Sequence, residues 1–128
     1  KAYLEKDAEF FCVKADGTIG VSEKYEKPKP QHYNYDMLDG IEYTIKVSNP
    51  VGQRIISLTR NGKEIQESDV FTIAMNNYRA SGGGDYDMLK NAETVKEVST
   101  GMVDVLAEYI MRHKVIDFAC VNNIHVII

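Results

Sequence analysis

The apolar positions of this chain change their period along its length, and each period predicts a different element. Over residues 1–11, Leu4, Ala8 and Phe11 share one face with Tyr3 and Phe10 beside them, while Lys1, Glu5, Lys6 and Glu9 point elsewhere, which is helical spacing. Ile41, Tyr43, Ile45 and Val47 alternate with Glu42, Thr44, Lys46 and Ser48, the period of two of a half-buried strand. Residues 54–60 and 63–65 flank Asn61-Gly62, a dipeptide suited to the two positive-φ positions of a type I′ turn, so a β-hairpin is expected. Val70 to Met75 is apolar without interruption, which predicts a central strand covered on both faces. Helical spacing returns from Met102 with Val105, Leu106, Tyr109, Ile110 and His113, and Thr100 is the expected cap. Thr94-x-x-Glu97 also fits a capping box. Ile124 to Ile128 reads as a closing strand. Residues 15–31 carry Asp16-Gly17, a charged run and Pro28-Lys29-Pro30, and read as an extended surface linker or insertion. Together these elements predict an α+β fold, a single domain with a mixed sheet, a β-hairpin and flanking helices.

Composition narrows the class. A chain of 128 residues with 44% hydrophobic and 27% charged residues has the length for one compact domain and the balance of a folded globular protein. No apolar run approaches the roughly 20 residues that span a bilayer, so membrane insertion is not expected. A formal charge of −4 argues against binding a nucleic acid polymer, which calls for a basic stripe, but leaves a single nucleotide open. Cys12 and Cys120 match no metal or redox spacing, and two buried, unlinked thiols are expected. The chain opens at Lys1 inside a helical pattern with no Met or targeting segment, which reads as a piece of a larger polypeptide.

Candidate chemistry concentrates where the Val70–Met75 run empties into Asn76 to Tyr86, NNYRASGGGDY. Gly82, Gly83 and Gly84 permit sharp bends and close backbone approach to a bound molecule. Their amides can also form a concave nest for an oxygen. Tyr78 at the mouth of such a loop offers a flat stacking surface, and the pair suggests an aromatic ligand with polar edges. A flexible connection beside an ordinary half-buried tyrosine accounts for the same residues. The glycines lack both the Gly-Lys-Ser/Thr ending of a P-loop and the spacing of a dinucleotide fingerprint. Asp85 and Asp87 are a conceivable acid–base pair, against the simpler reading of a solvated acidic loop. His32, His113 and His125 have no metal-ligand spacing, and His113 fits a structural place in the last helical turn. These residues favour binding over bond breaking.

The string TIAMNNYRASGGGDY, preceded by YNYDMLDGIEYTIKVSNPVGQRIISLTRNGKEI, resembles the C-terminal, substrate-specificity domain of bacterial 5′-nucleotidases, most closely the 2′,3′-cyclic-nucleotide 2′-phosphodiesterase/3′-nucleotidase branch. The resemblance implies that residues 1–128 are a nucleoside-recognition domain of a larger periplasmic, secreted or wall-attached hydrolase. Catalysis would then belong to an N-terminal metallophosphoesterase domain carrying two divalent metal ions, with no cofactor held by this chain. It also implies that Asn77 and Tyr78 supply one half of an aromatic clamp on the base, whose other ring precedes the first helix. Gly82, Gly83 and Gly84 would line the base or ribose, Tyr86 would cover the loop, and Tyr33 and Tyr35 are secondary candidates, each more often a core or edge tyrosine. Arg79 fits a structural salt bridge better than a phosphate contact. Asn122-Asn123-Ile124 departs from relatives that carry a tryptophan after the asparagines, which touches only local packing. On this reading the fragment alone neither hydrolyses phosphoesters nor binds nucleotides tightly. The alternative from another class is a noncatalytic protein-binding or scaffold domain whose glycine loop meets a partner; a free-standing enzyme using Asp85 and Asp87 is a third.

Overall fold

The computed structural model describes residues 1–128. Helix α1 (Ala2–Ala8) buries Leu4 and Ala8 and ends earlier than the pattern predicts, because the chain turns at Glu9 and Phe10, and Phe11 opens a strand while still packing on the core. The region expected to be a linker is instead a second hairpin, β1 (Phe11–Val13) against β2 (Ile19–Val21). Asp16 makes that turn: its Oδ1 accepts from the Thr18 amide at 2.9 Å and hydroxyl at 2.7 Å, and Gly17 takes φ +81°. A turn of 3₁₀ helix at Glu23–Tyr25 then buries Tyr25, whose ring meets Phe10 edge-on at 5.3 Å. Local charge hid this packing in the sequence.

The main sheet has the order β5-β4-β3-β6 and is mixed, as expected. β3 (Glu42–Lys46) lies at its centre, antiparallel to β4 (Ile55–Arg60) and parallel to β6 (Ile124–Ile127). β4 returns through Asn61 (φ +52°) and Gly62 (φ +73°) to β5 (Lys63–Glu64), the turn its dipeptide specifies. Alternation holds where it matters: Tyr43, Ile45, Val47 and Ile55 join Leu4 and Ala8 in one apolar cluster. Asn123 secures the start of β6 by donating its amide to the Leu38 and Ile41 carbonyls, both at 2.8 Å.

Polar groups dock α1 on the sheet. The two Glu5 carboxylate oxygens accept from the Arg54 and Ile55 amides at 2.8 and 3.0 Å, beside a register shift that leaves Ile56 as an extra residue in β4. Arg54 answers by donating Nη1 to the Ala8 and Phe11 carbonyls at 2.8 and 2.7 Å, where the end of the helix leaves acceptors unpaired.

Several expectations are corrected. Val70–Met75 forms no strand and pairs with none in the sheet, whose order is β5-β4-β3-β6; Val70 is 93% exposed, so the apolar run marks a segment left uncovered rather than a central strand. Residues 94–97 start no helix, and α3 (Met102–His113) is capped by Gly101 rather than Thr100. The helix has the predicted amphipathic stripe, yet Val105, Leu106, Tyr109 and Ile110 are all exposed. His113 stacks on Tyr109 at 4.0 Å and its Nδ1 meets the Tyr109 carbonyl at 2.8 Å, a local helix-end contact. Both cysteines are unlinked, but neither is fully buried: Cys12 is half-buried and Cys120 exposed.

Removing the Glu5 carboxylate orphans two amides next to the core. Glu5→Ala is therefore expected to lower stability by about 2–3 kcal/mol in denaturant titration, since such bonds involve a charged acceptor; a change under about 0.5 kcal/mol contradicts this role.

Candidate functional site

Asn76 begins the site by accepting from the Arg79 amide at 2.8 Å, the capping bond that starts the short helix α2 (Asn77–Ala80). Asn77 stays exposed and its Oδ1 accepts from the Tyr78 amide at 2.9 Å. The next side chain, Tyr78, is 52% exposed, while Arg79 beside it is buried. One turn of helix thus sends an aromatic ring outward and a guanidinium inward.

The glycines are shaped around these two side chains. Gly83 lies so close to Tyr78 that a Cβ there would sit 2.5 Å from ring atom Cε2 and 2.6 Å from the Tyr78 carbonyl oxygen, and its amide donates to that carbonyl at 2.9 Å. Gly84, at φ +72°, would bring a Cβ within 2.3 Å of Asn34 Oδ1 and 2.5 Å of Arg79 Nη1. Close packing against the ring and the guanidinium, more than loop flexibility, requires glycine here.

Arg79 anchors the loop. Its Nε and Nη2 meet the two Asp36 oxygens at 2.6 and 2.8 Å, and Nη1 donates to the Gly83 carbonyl at 2.6 Å. Tyr3 on α1 donates to the same Asp36 carboxylate at 2.5 Å. Burial works against the Arg79 charge, but the Asp36 bonds and charge outweigh it and hold the guanidinium above its ordinary pKa. The salt bridge expected for Arg79 is present.

Tyr86 differs from expectation. It is 0% exposed and lies under the loop, its ring 4.0 Å from the Arg79 guanidinium and 5.0 Å from the Tyr3 ring. Its hydroxyl contacts Asp7 and the Asn34 carbonyl, the latter at 3.1 Å. A ring so enclosed presents no face to a ligand; it supports the loop from within. Tyr35 is also turned inward, stacked on Phe10 at 4.8 Å, and burial pushes its hydroxyl up to about 12. Tyr33 remains exposed. Asp85 and Asp87 pair with Lys6 at 3.7 Å and Lys90 at 2.5 Å respectively, so the notion of a carboxylate pair gives way to two surface ion pairs. No three His, Cys, Asp or Glu side chains converge as metal ligands, so these residues do not fit a metal.

Asp7, which the sequence did not single out, completes the cluster. It is 1% exposed, its Oδ1 receives the Tyr86 hydroxyl and the Asp36 amide at 3.1 Å, and its Oδ2 has no partner. Burial raises its pKa to about 7, and the two donors only partly offset that. Protonation suits the network: a neutral Asp7 can donate to the Tyr86 oxygen, freeing the phenol hydrogen for the Asn34 carbonyl. Asn34 and Asp36 stand in the quoted YNYD string, but only contact across the fold reveals their pairing with Arg79.

Gly83→Ala is expected to displace the Tyr78 ring and cost about 1–3 kcal/mol by overpacking, read from a structure of the variant and its denaturation midpoint. An unmoved ring overturns this packing argument. The raised Asp7 pKa sets a pH dependence: its contribution to stability is complete below pH 3.8 and is lost as pH rises through about 7. Wild type minus Asp7→Asn should therefore lose on the order of 2–4 kcal/mol between pH 4 and pH 8. A flat difference places Asp7 at an ordinary pKa.

Comparison with known proteins identifies the fold and the family. A Staphylococcus aureus chain assigned provisionally as a 5′-nucleotidase, solved in complex with alpha-ketoglutarate, superposes over 98% of these residues with a TM-score of 0.89 and 37% identity. The trifunctional nucleotide phosphoesterase protein YfkN of Bacillus subtilis is 34% identical over 103 residues, 71% of this chain. The 2′,3′-cyclic-nucleotide 2′-phosphodiesterase/3′-nucleotidase of Salmonella typhimurium is 43% identical over 63 residues, 40% of this chain. The chain spans 7% of the first relative, 10% of the second and 25% of the structural neighbour. Residues 1–91 match the 5′-nucleotidase C-terminal domain, and the chain belongs to that family.

Proposed function

We propose that this chain supplies nucleoside recognition to a larger phosphoric-ester hydrolase, a nucleotidase or cyclic-nucleotide phosphodiesterase, whose chemistry resides in polypeptide outside residues 1–128. The carrying observation is Tyr78, a half-exposed ring backed by Gly83 and presented by a short capped helix. Stacking suits recognition of a base because every base offers a π-face, and it contributes about 1–3 kcal/mol without demanding one base identity. Asn77 precedes that ring in the chain, and its side-chain amide together with the Gly84 backbone supplies polar groups for the base or ribose; Gly82, expected to line the ligand, is buried, and the Gly83 amide and carbonyl are taken by Tyr78 and Arg79. Tyr33 is kept as an outlying contact on exposure alone. Two divalent metals, implied by the family resemblance, are assigned to the rest of the parent, and domain rotation would bring the held substrate to them.

The uncovered apolar surfaces support membership in a longer chain. Val70, Phe71 and Ile73, and separately the stripe on α3, leave large apolar side chains exposed, the kind of surface that marks an interaction site. The S. aureus neighbour holds nearly all of this arrangement within a chain four times as long, judged by its 25% coverage. The occupant we assign to these faces is therefore the remaining polypeptide of the same parent. Placement in the periplasm or at the cell exterior rests on the family resemblance; no helix here is long and apolar enough to cross a membrane.

The same surfaces favour a second reading, a noncatalytic domain that docks another protein. Full-length protein with Tyr78→Ala separates the two. Base stacking predicts a KM for nucleotides raised about five- to a hundredfold, with turnover of a base-free phosphoester retained. Equal loss on both substrates contradicts base recognition, and a full-length wild type that ignores every nucleoside favours the docking reading.

A further inference from the structure

An exposed ring stacks usefully only if it is held still, and Tyr78 is 52% exposed. What fixes it lies one residue on. The Arg79 guanidinium stands 5.7 Å from the Tyr78 ring centroid and 4.0 Å from that of Tyr86, between the exposed ring and the buried one. It also donates to the Gly83 carbonyl, while the Gly83 amide donates back to Tyr78. The backing of the ring is thus tied at both ends. Asp36, which receives the two remaining arms, is itself held by Tyr3 from α1, and Tyr86 is held by Asp7 on the same helix.

We propose that Arg79 is the positioning residue of the Tyr78 platform, with Asp36 as its anchor; this rests on reading Tyr78 as the base-stacking ring. The side-chain type is specific to the task. A guanidinium is a planar fork that satisfies both carboxylate oxygens and a third acceptor while stacking on an aromatic face, whereas an ammonium at the same place is a single point charge on a flexible stem. A lysine retains the charge and loses the grip on the loop. The orientation of the ring is thereby set by a residue that need not touch ligand.

The test uses the full-length parent with Arg79→Lys, Asp36→Asn and Tyr78→Ala in parallel. Steady-state kinetics on a nucleotide and on p-nitrophenyl phosphate are combined with hydrogen exchange of the Gly83 and Tyr86 amides, which bond to the Tyr78 and Gly82 carbonyls. Arg79→Lys is expected to raise the nucleotide KM about tenfold and leave kcat/KM for p-nitrophenyl phosphate within about twofold. Exchange at both amides should quicken at temperatures well below unfolding. A variant with lower thermal stability but unchanged nucleotide KM and loop exchange overturns the proposal, because a merely structural ion pair behaves that way. If Arg79→Lys does not fold, Asp36→Asn decides by the same readouts, since it preserves shape while weakening the anchor. Should Tyr78→Ala leave the nucleotide KM unchanged, the stacking reading fails on its own, and loop exchange in Arg79→Lys still shows whether Arg79 holds the ring's backing.

Discussion

A guanidinium withdrawn from water without a counter-charge is among the least tolerable groups in a protein interior, and the glycine loop is built around one. Asp36 makes Arg79 acceptable there, and the pair lies 43 residues apart in sequence. Its geometry propagates outward. Because Nη1 holds Gly83, the loop must pass within contact of Tyr78; because the guanidinium rests on Tyr86, that ring must lie beneath the loop; because Tyr86 reaches Asp7, the loop sits over α1. An exposed aromatic surface thus inherits its position from a buried polar chain that ends on α1.

The same helix faces two environments. Toward the sheet it is fastened by Glu5 and Arg54 as well as by Leu4 and Ala8, so apolar burial and backbone satisfaction act at one junction. Toward the loop it contributes Tyr3 and Asp7, which leave a carboxyl oxygen unpaired. An incompletely satisfied polar cluster is tolerated where it fixes geometry, which is the pattern of sites that sacrifice some stability for position.

Elements whose signal is local were legible in the sequence. The alternation from Ile41 to Val47, the Asn61-Gly62 turn and the stripe on α3 need only neighbouring residues to specify them, and each forms where its pattern lies. Val70–Met75 was not legible, since an apolar run says that a segment seeks cover without saying which chain provides it. Tyr86 reads as ligand-facing because aromatic residues near a glycine loop look alike on paper, and contact with Asp7, from a distant position, turns it inward; Tyr35, more often a core or edge tyrosine on its sequence, stacks on Phe10. Asp7 offered no signal beyond a polar residue in a short helix, and its burial follows only once Tyr86 lies above it.

Strand β6 connects the unpacked half of the chain to the packed half. It follows α3 in sequence and lies parallel to β3, locked at its beginning by Asn123. A surface that covered α3 only in the folded chain would stabilise the folded state by mass action, and β6, the next element after α3, pairs directly with the seam at Tyr43 and Ile45.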